Sequence, residues 1–286
     1  MKIKFVCNWN SDYNIYNIVN DIWNIDEEYE LTYGDDYTHL IIFNKYEPSL
    51  IKVPKENVFG FIHEPYWSGF YDKNLPNYCN KVFYWQPEFF STFNNIIKST
   101  FSCLHHLFPK PIETHELEYV KDNTKNIINT TFIKNKKISI IVSNISHYKR
   151  YSFIKDLLKS DIDFDMYGSG WELDDKRYKG RILNKIDALK DYKYSICLEN
   201  SNINGYISEK FVDSILCGTI PIYNGAPDVL DYYPNSCEYL DLDDNPVDKI
   251  KYILNNQKQY NDYSLESAKY LYINKYNPIK IIINNK

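Results

Sequence analysis

Short apolar runs separated by polar stretches recur through the first part of the chain. They cover residues 3–7, 30–33, 39–43, 58–63 and 81–85. Apolar runs of about four to eight residues bounded by turn-forming residues are typical of buried strands. Between the first two runs, apolar residues recur at the spacing of one helix face, at Ile15, Ile18, Val19, Ile22 and Trp23. This alternation predicts a parallel α/β layer that forms a first Rossmann-like lobe.

The same alternation starts again further along the chain. Strands are predicted at residues 138–142, 164–168, 194–199 and 220–224, and helices at 151–158, 182–190 and 207–217. Residues 113–137 are polar and weakly periodic, so the boundary is placed there, with residues 1–130 as one lobe and 131–286 as the other. Two more helices are predicted at 247–254 and 265–276. We expect two Rossmann-like lobes that face each other across a cleft, with the terminal helix packing back across their junction.

Composition and charge narrow the class of protein. The 286 residues carry a formal net charge of -5, without the basic excess that neutralises phosphates, which argues against a nucleic-acid partner. The N-terminus is charged and strand-like, and no apolar run approaches the roughly 20 residues of a membrane span, so we expect a soluble, cytoplasmic protein with no transmembrane segment. The six cysteines are widely spaced without a CxxC pair, which predicts reduced thiols.

The segment 195–210 combines an apolar strand, a polar turn with Gly205 and the start of an apolar helix. Open α/β sheets bind ligands at such strand ends, opposite a helix N-terminus. Lys210 falls in the first helical turn, where a positive charge opposes the helix dipole, and Glu209 offsets only part of that conflict. A bound diphosphate would resolve it. The alternative is that both residues are solvated surface side chains.

Four motifs of this region resemble a known family. They occur in order at residues 199–201 (Glu-Asn-Ser), 206–210 (Tyr-Ile-Ser-Glu-Lys), 218–222 (Gly-Thr-Ile-Pro-Ile) and 225–227 (Gly-Ala-Pro). The order and spacing resemble the α-1,3-fucosyltransferases of glycosyltransferase family 10. The resemblance spans about thirty residues and is more specific than a lone glycine motif. With the two predicted lobes, it implies an α/β fold of the GT-B type.

The resemblance implies roles for individual residues. By this resemblance Tyr206 and Lys210 contact the donor diphosphate and Glu209 holds the donor's sugar portion. Glu199 and Asn200 are expected to shape the floor of the pocket.

An upstream element at residues 143–153 resembles the family's Ser-Asn, loop and Arg pattern, which implies that Arg150 clamps phosphate, with Lys149 as a helper. A guanidinium suits that task because its planar donors match phosphate oxygens. A surface ion pair is the alternative for Arg150.

Glu64 follows the apolar strand at 58–63 and resembles the family's general base, although His63 and Pro65 flank it here. A carboxylate at this position would take the proton of the acceptor hydroxyl. Glu88 is the rival base. His63, Tyr66 and Trp67 are candidates for acceptor binding, since aromatic faces stack on sugars, and the alternative for Tyr66 and Trp67 is packing within the lobe. His63 could also form a relay with Glu64, although a His beside a strand end is more often a hydrogen-bonded structural residue.

Two acidic clusters, at residues 35–36 and 241–244, invite a metal interpretation. We interpret both as solvated turns away from the predicted site, because Arg150 and Lys210 already supply the positive charge. No Cys or His spacing indicates zinc, and no GxGxxG follows the first strand, so no cofactor or metal is expected.

The hypothesis is an inverting, metal-independent glycosyltransferase that uses GDP-fucose as donor and a hydroxyl of a glycan as acceptor. The resemblance implies that this glycan contains GlcNAc. The alternatives are a transferase that uses another nucleotide sugar, and a catalytically inactive glycan-binding module.

Overall fold

The computed structural model describes residues 1–23, 29–99, 104, 107, 130–143, 148–255 and 263–285. The predicted domain boundary at 113–137 falls largely outside the described residues. Two compact units emerge from the contacts within the chain. Met1–Leu104 and Tyr272–Lys286 belong to the first unit, and Asn126–Leu271 to the second.

The first unit is built on a six-stranded parallel sheet. Its strands are β1 (Lys2–Cys7), β2 (Glu30–Thr32), β3 (His39–Phe43), β4 (Val58–Phe61), β5 (Lys81–Tyr84) and β6 (Ile96–Lys98). They lie in the order β2-β1-β3-β4-β5-β6. The unit's helices are α1 (Asp12–Trp23), α2 (Leu75–Tyr78) and the 3-10 turns Pro48–Leu50, Lys55–Asn57 and Pro87–Phe90. The central strands β3 and β4 are almost entirely apolar and buried, as expected of a parallel sheet whose two faces are both covered.

The second unit repeats this plan with a five-stranded parallel sheet. Its strands are β7 (Lys136–Ile141), β8 (Asp165–Tyr167), β9 (Tyr192–Leu198), β10 (Ile220–Asn224) and β11 (Glu238–Tyr239), in the order β11-β10-β9-β7-β8. Its helices are α3 (Tyr148–Lys159), the 3-10 turn Lys185–Ala188, α4 (Glu209–Leu216), α5 (Val229–Tyr232), α6 (Pro246–Asn255) and α7 (Leu265–Tyr270).

The end of the chain returns to the first unit. A π-helical turn, Leu271–Lys275, follows α7, and α8 (Pro278–Asn284) follows that turn. Trp23 donates its indole N–H to the Tyr272 carbonyl, and Ile279 and Ile282 pack beside Ile3 of β1. The terminal helix therefore completes the core of the unit that contains the N-terminus.

Most predicted strands and helices are confirmed, and two predictions are wrong in detail. The helix predicted at 182–190 is only the 3-10 turn Lys185–Ala188, and the helix predicted at 265–276 ends at Tyr270 before the π-helical turn. β6 and α8 were not predicted. Gly218 does end α4 with a left-handed φ of 64°, as expected. Among the described residues, every helix is too short or too polar to cross a bilayer.

The strand orders locate a crevice in each unit. In both sheets the first strand lies between the second and the third, so the chain leaves it in opposite directions on its two sides. Ligands of doubly wound sheets bind at this switch point, beyond the carboxyl ends of the strands. In the second unit this point lies after β7 and β9, where the sequence placed its phosphate-binding residues. The α/β fold with two Rossmann-like units is confirmed.

Candidate active site

Arg150 and Asn200 meet at the carboxyl end of β9. Arg150 lies in the first turn of α3 and is only 6% exposed. Its Nε donates to the Glu199 carbonyl over 3.1 Å, and its Nη2 donates to Asn200 Oδ1 over 2.6 Å. Burial lowers the pKa of Arg150, while the charge of Glu199 acts in the opposite sense. The guanidinium is thus held in one orientation at the switch point, rather than forming the surface ion pair that was its alternative. Residues 144–147 of the upstream motif lie outside the described residues.

Lys210 lies in the first turn of α4 among acidic neighbours. Its Nζ is 3.0 Å from Glu209 Oε1 and 3.6 Å from Glu199 Oε2, and it donates to Ser208 Oγ over 3.1 Å. Burial alone would lower the pKa of Lys210, but the two carboxylates outweigh it and raise the pKa above its ordinary value. From the sequence, only Glu209 was expected to compensate the positive charge of Lys210. Glu199 supplies the rest, so the conflict with the helix dipole is relieved within the chain.

Glu199 anchors the turn that precedes α4. Its side chain is fully buried, and burial raises its pKa. Oε1 accepts from the Ser208 N–H over 2.8 Å, and Oε2 accepts from the Ser208 hydroxyl over 2.5 Å. Ser208 in turn caps α4, where its Oγ accepts from the Lys210 N–H. One carboxylate therefore fixes both the helix start and the lysine that follows it.

The Gly-Ala motif after β10 packs against Glu199 and Tyr223. Tyr223 of β10 donates from its hydroxyl to Glu199 Oε1 over 3.4 Å, and its oxygen accepts from the Ala226 N–H over 3.2 Å. A Cβ on Gly225 would lie 2.3 Å from that hydroxyl and 2.5 Å from Glu199 Cγ. The motif thus needs glycine because the backbone passes directly against the Tyr223 and Glu199 side chains.

Two residues that the sequence analysis missed extend this ionic cluster. Lys185, in the 3-10 turn, lies 3.0 Å from Asp213 Oδ2 and 3.7 Å from Glu209 Oε1. Burial would lower the pKa of Lys185, but Asp213 and Glu209 raise it instead. Glu209 and Asp213 are four residues apart on α4 and therefore share a face, which is the signal that sequence reasoning could have used. Because a helix was predicted at 182–190, Lys185 was not singled out as a site residue.

These residues line a cavity of about 280 Å³, which we call the basic cavity. Its charged lining consists of Arg150, Lys185, Lys210, Glu209 and Asp213. The remaining wall mixes aliphatic residues, such as Ile141 of β7 and Ile196 of β9, with polar ones, such as Ser195 and Asn200. Tyr206, predicted to contact the diphosphate, is buried, and its carbonyl accepts from the Tyr223 hydroxyl.

The acidic cluster at 241–244 does not lie where the sequence analysis placed it. Asp241 and Asp243 line a second cavity, of about 390 Å³, together with Arg150 and Asn200. Lys149, predicted as a phosphate helper, pairs with Asp243 over 2.5 Å. The prediction that this cluster lies away from the site is therefore wrong, because β11 pairs with β10, the neighbour of β9, and the residues after β11 reach the same edge of the sheet.

The acidic pair at 35–36 is exposed, as expected, and engaged with lysines. Asp35 lies 2.7 Å from Lys52 Nζ, and Asp36 lies 2.7 Å from Lys2 Nζ. Within the described ranges, no three His, Cys, Asp or Glu side chains are grouped as metal ligands.

In the first unit, Glu64 follows β4 and is half-buried. Its rival Glu88 is exposed in the 3-10 turn after β5. β4 and β5 are neighbouring parallel strands, so the residues that follow them lie at the same edge of the sheet. Burial, followed by nearby charges that include Glu88 and Glu64, raises the pKa of the Tyr84 hydroxyl. The structure thus brings the two candidate bases to one end of this unit's sheet.

The three candidates for acceptor binding differ in exposure. His63 is only 9% exposed, and its ring packs against Phe43 with centroids 4.9 Å apart. Tyr66 and Trp67 are 39% and 57% exposed, and their rings meet edge to face. Tyr66 also stacks on Phe89 at 3.7 Å, which the sequence analysis did not single out. An open aromatic surface therefore lies beside Glu64, while His63 offers little surface to a ligand.

Known proteins share this second unit. The family model described as glycosyltransferase family 10 (fucosyltransferase) C-term matches residues 132–276, more than half of the chain. Alpha-(1,3)-fucosyltransferase B of Drosophila melanogaster is 32% identical over 143 residues, covering 46% of this chain and 31% of that protein. Alpha-(1,3)-fucosyltransferase FucT of Helicobacter pylori is 35% identical over 91 residues, covering 30% of this chain and 19% of that protein. The matches thus span less than a third of either relative.

A solved structure resembles the chain over nearly its whole length. The crystal structure of an alpha1,3-fucosyltransferase with GDP aligns with a TM-score of 0.52 and 19% identity, covering 96% of this chain and 82% of that one. At this identity the likeness concerns the fold, and it confirms the GT-B type. Together with the family match and the motifs that build the ionic cluster, it leads to one conclusion. The chain belongs to glycosyltransferase family 10, the fucosyltransferase family.

Proposed function

We propose that the protein is an inverting fucosyltransferase that moves L-fucose from GDP-fucose to a hydroxyl of a glycan acceptor. The proposed acceptor contains GlcNAc, and the proposed linkage is α-1,3. The observation that carries the proposal is the ionic cluster at the switch point of the second unit, where Arg150 and Lys210 line one cavity. The relatives that match this unit are named as alpha-(1,3)-fucosyltransferases, and the structural neighbour was solved with GDP.

In the proposed reaction, Glu64 takes the proton of the acceptor hydroxyl. The oxygen attacks the anomeric carbon of fucose from the face opposite the phosphate, and the bond from that carbon to the phosphate oxygen breaks. The electron pair of this bond leaves with GDP. Arg150 and Lys210 stabilise the departing diphosphate, because fixed cations in a partly dry site need no reorganisation as charge develops. Tyr206 contacts the diphosphate, and Glu209 holds the donor's sugar portion.

The proposed reaction needs no metal, since the side chains supply the charge that a divalent ion would otherwise supply. An assay in the presence of EDTA checks this point. Activity that disappears with EDTA and returns with Mg²⁺ or Mn²⁺ would show that the acidic residues near the site bind an ion after all.

The donor is tested by calorimetric titration of the protein with GDP, UDP, dTDP and CMP, followed by transfer assays with the matching nucleotide sugars. We expect GDP to bind at least tenfold more tightly than the others, and GDP-fucose to be the best donor. Preference for another nucleotide would support the alternative of a different nucleotide-sugar transferase.

A glycan-binding module without activity remains the alternative of a different class. It predicts acceptor binding with neither transfer nor hydrolysis of any nucleotide sugar. Release of GDP from GDP-fucose, stimulated by a GlcNAc-containing acceptor, would exclude it.

A further inference from the structure

Five charged side chains around the start of α4 form a series of alternating sign. In order, they are Asp213, Lys185, Glu209, Lys210 and Glu199. The nitrogen and oxygen atoms of successive members lie 3.0, 3.7, 3.0 and 3.6 Å apart. Both ends of this ionic series are buried, since the side chains of Asp213 and Glu199 are 2% and 0% exposed. A phosphate that binds at one lysine therefore changes the charge balance of the neighbouring members.

Lys210 is the member of the ionic series that a phosphate can recruit. It lies in the first turn of α4, where the helix dipole favours an anion. Its buried partner Glu199 also accepts from the Ser208 N–H and hydroxyl and from the Tyr223 hydroxyl, so three neutral donors stay in place when the lysine turns away. Glu209 loses more, because its Oε1 lies only 3.0 Å from the Lys210 ammonium group.

Lys185 approaches the same oxygen of Glu209 from the 3-10 turn. Its Nζ lies 3.7 Å from Glu209 Oε1, the atom that Lys210 also contacts. This second cation stays beside the carboxylate when the first one moves to a phosphate. A carboxylate with an ammonium group nearby remains ionised, because the opposite charge favours its charged form. Lys185 can therefore keep Glu209 compensated in both situations.

Asp213 holds Lys185 back from the phosphate. The Lys185 Nζ donates to Asp213 Oδ2 over 3.0 Å, and this carboxylate is almost completely buried. Taking a cation away from a buried carboxylate is strongly unfavourable, because burial removes the water that would otherwise solvate the charge. Asp213 and Glu209 are four residues apart on α4, so the ammonium group is held between two carboxylates on one helix face. Lys185 is thus anchored to the helix that carries Glu209 and Lys210.

We propose that Lys185 is a positioning residue for donor binding, which compensates Glu209 while Lys210 binds the diphosphate. The proposal rests on the proposed function and adds a residue to which the family motifs assign no role. Without Lys185, Glu209 depends more on Lys210, so the carboxylate and the phosphate compete for one ammonium group. With Lys185 in place, each of the two anions has a cation. Lys185 acts through Glu209 and contacts neither the phosphate nor the sugar.

A double-mutant cycle tests this role, with the affinity for GDP measured by titration calorimetry. Lys185→Met removes the cation and keeps part of the aliphatic stem, and Glu209→Gln removes the competing charge and keeps the shape. We expect Lys185→Met to weaken GDP binding about threefold to tenfold in the wild-type background, and by less than about twofold in the Glu209→Gln background.

Two further variants separate charge from shape and from position. Lys185→Arg keeps a cation in the 3-10 turn and should bind GDP within about threefold of the wild type. Lys190→Met is the matched control and should bind GDP as the wild type does. Lys190 follows the same turn, pairs with Asp187 and does not line the basic cavity.

An equal loss of affinity in both backgrounds would overturn the proposal, because Lys185 would then act on GDP directly or through the fold. Unchanged binding by Lys185→Met, or a loss that Lys185→Arg does not restore, would overturn it as well. If Lys185→Met does not fold, the same cycle is measured in the Asp213→Asn background, where position 213 carries no charge for Lys185 to balance, and the same outcomes decide. A wild-type protein that binds neither GDP nor GDP-fucose would instead refute the proposed function, which the other outcomes leave intact.

Discussion

The two units share a strand order and differ in what they place at the ends of their strands. After β4 and β5 the first unit carries open aromatic side chains, Tyr66 and Trp67, beside a half-buried carboxylate. After β7 and β9 the second unit carries a cluster of buried charges. The fold provides a crevice in both, and the side chains decide its chemistry. The same architecture therefore carries an open aromatic surface in one unit and a cluster of buried charges in the other.

The same difference explains why the site of the second unit is easier to recognise in the sequence than that of the first unit. A buried charge is stable only when every partner is in place, so Glu199, Ser208 and Lys210 form a constrained set. Exposed aromatic residues are constrained far less, because many arrangements present a similar surface. The family model describes the C-terminal part of the family and matches residues 132–276, which include this set.

The largest effect is expected in the first unit. Glu64→Gln should lower kcat about 10² to 10⁴-fold, because the acceptor hydroxyl loses its base, and should leave GDP binding within about twofold. Transfer kinetics and GDP titration measure the two quantities. Glu88→Gln is the matched control with nearly unchanged kcat, and the opposite pattern would move the catalytic role to Glu88.

A smaller effect is expected in the charged cluster of the second unit. Lys210→Met should weaken GDP binding about 10² to 10³-fold, since it removes one cation and leaves Glu199 and Glu209 with less compensation. Calorimetry measures the loss. Lys159→Met, on the exposed end of α3, should bind GDP as the wild type does. If the two variants bind alike, the cluster is structural and does not receive phosphate.

A buried lysine away from the strand ends gives a test of stability. Lys134 donates to the carbonyls of Lys190 and Cys217 and to Thr219 Oγ1, and burial lowers its pKa from 10.5 to about 8. Between these two values the unfolded chain holds a proton that the folded chain has released. The free energy of unfolding should therefore rise with pH in this window, by at most about 1.4 kcal/mol per pH unit.

Urea unfolding of Lys134→Met between pH 7 and 10 checks this prediction. The variant should lose the part of the slope that the wild type owes to Lys134, whatever its stability at pH 7. Lys137→Met, at an exposed neighbouring position, is the control and should keep the wild-type slope. Identical slopes in all three proteins would mean that Lys134 titrates as an exposed lysine does.

The smallest effect is expected on the aromatic surface. Trp67→Ala should raise the acceptor KM about threefold to tenfold, because a stacking contact is worth about 0.5–1.5 kcal/mol, and should leave the donor KM unchanged. Tyr252→Ala, an exposed aromatic residue on α6, is the control. A donor KM that rises with Trp67→Ala would show that this surface does not serve the acceptor alone.

Periodicity predicted most strands because buried parallel strands are nearly continuous apolar runs, as in β3 and β4. It failed at 182–190, where Lys185 bonds to Asp213 and the chain forms only a 3-10 turn. It also missed β6, whose three residues are only partly buried and carry too little pattern. Short elements depend on tertiary contacts, which local spacing does not reveal.

Much of the candidate site was predicted from the sequence, because the motifs around Glu199, Tyr206 and Lys210 are consecutive along the chain and follow the strand, turn and helix that build the site. Tertiary structure alone brought Lys185 and Asp213 to Glu209, and Asp241 and Asp243 to Arg150. The physical reason is that neighbouring parallel strands end at the same edge of a sheet whatever their distance in sequence. Sequence thus determined which charged residues lie at the end of β9, and the strand order decided which others surround them.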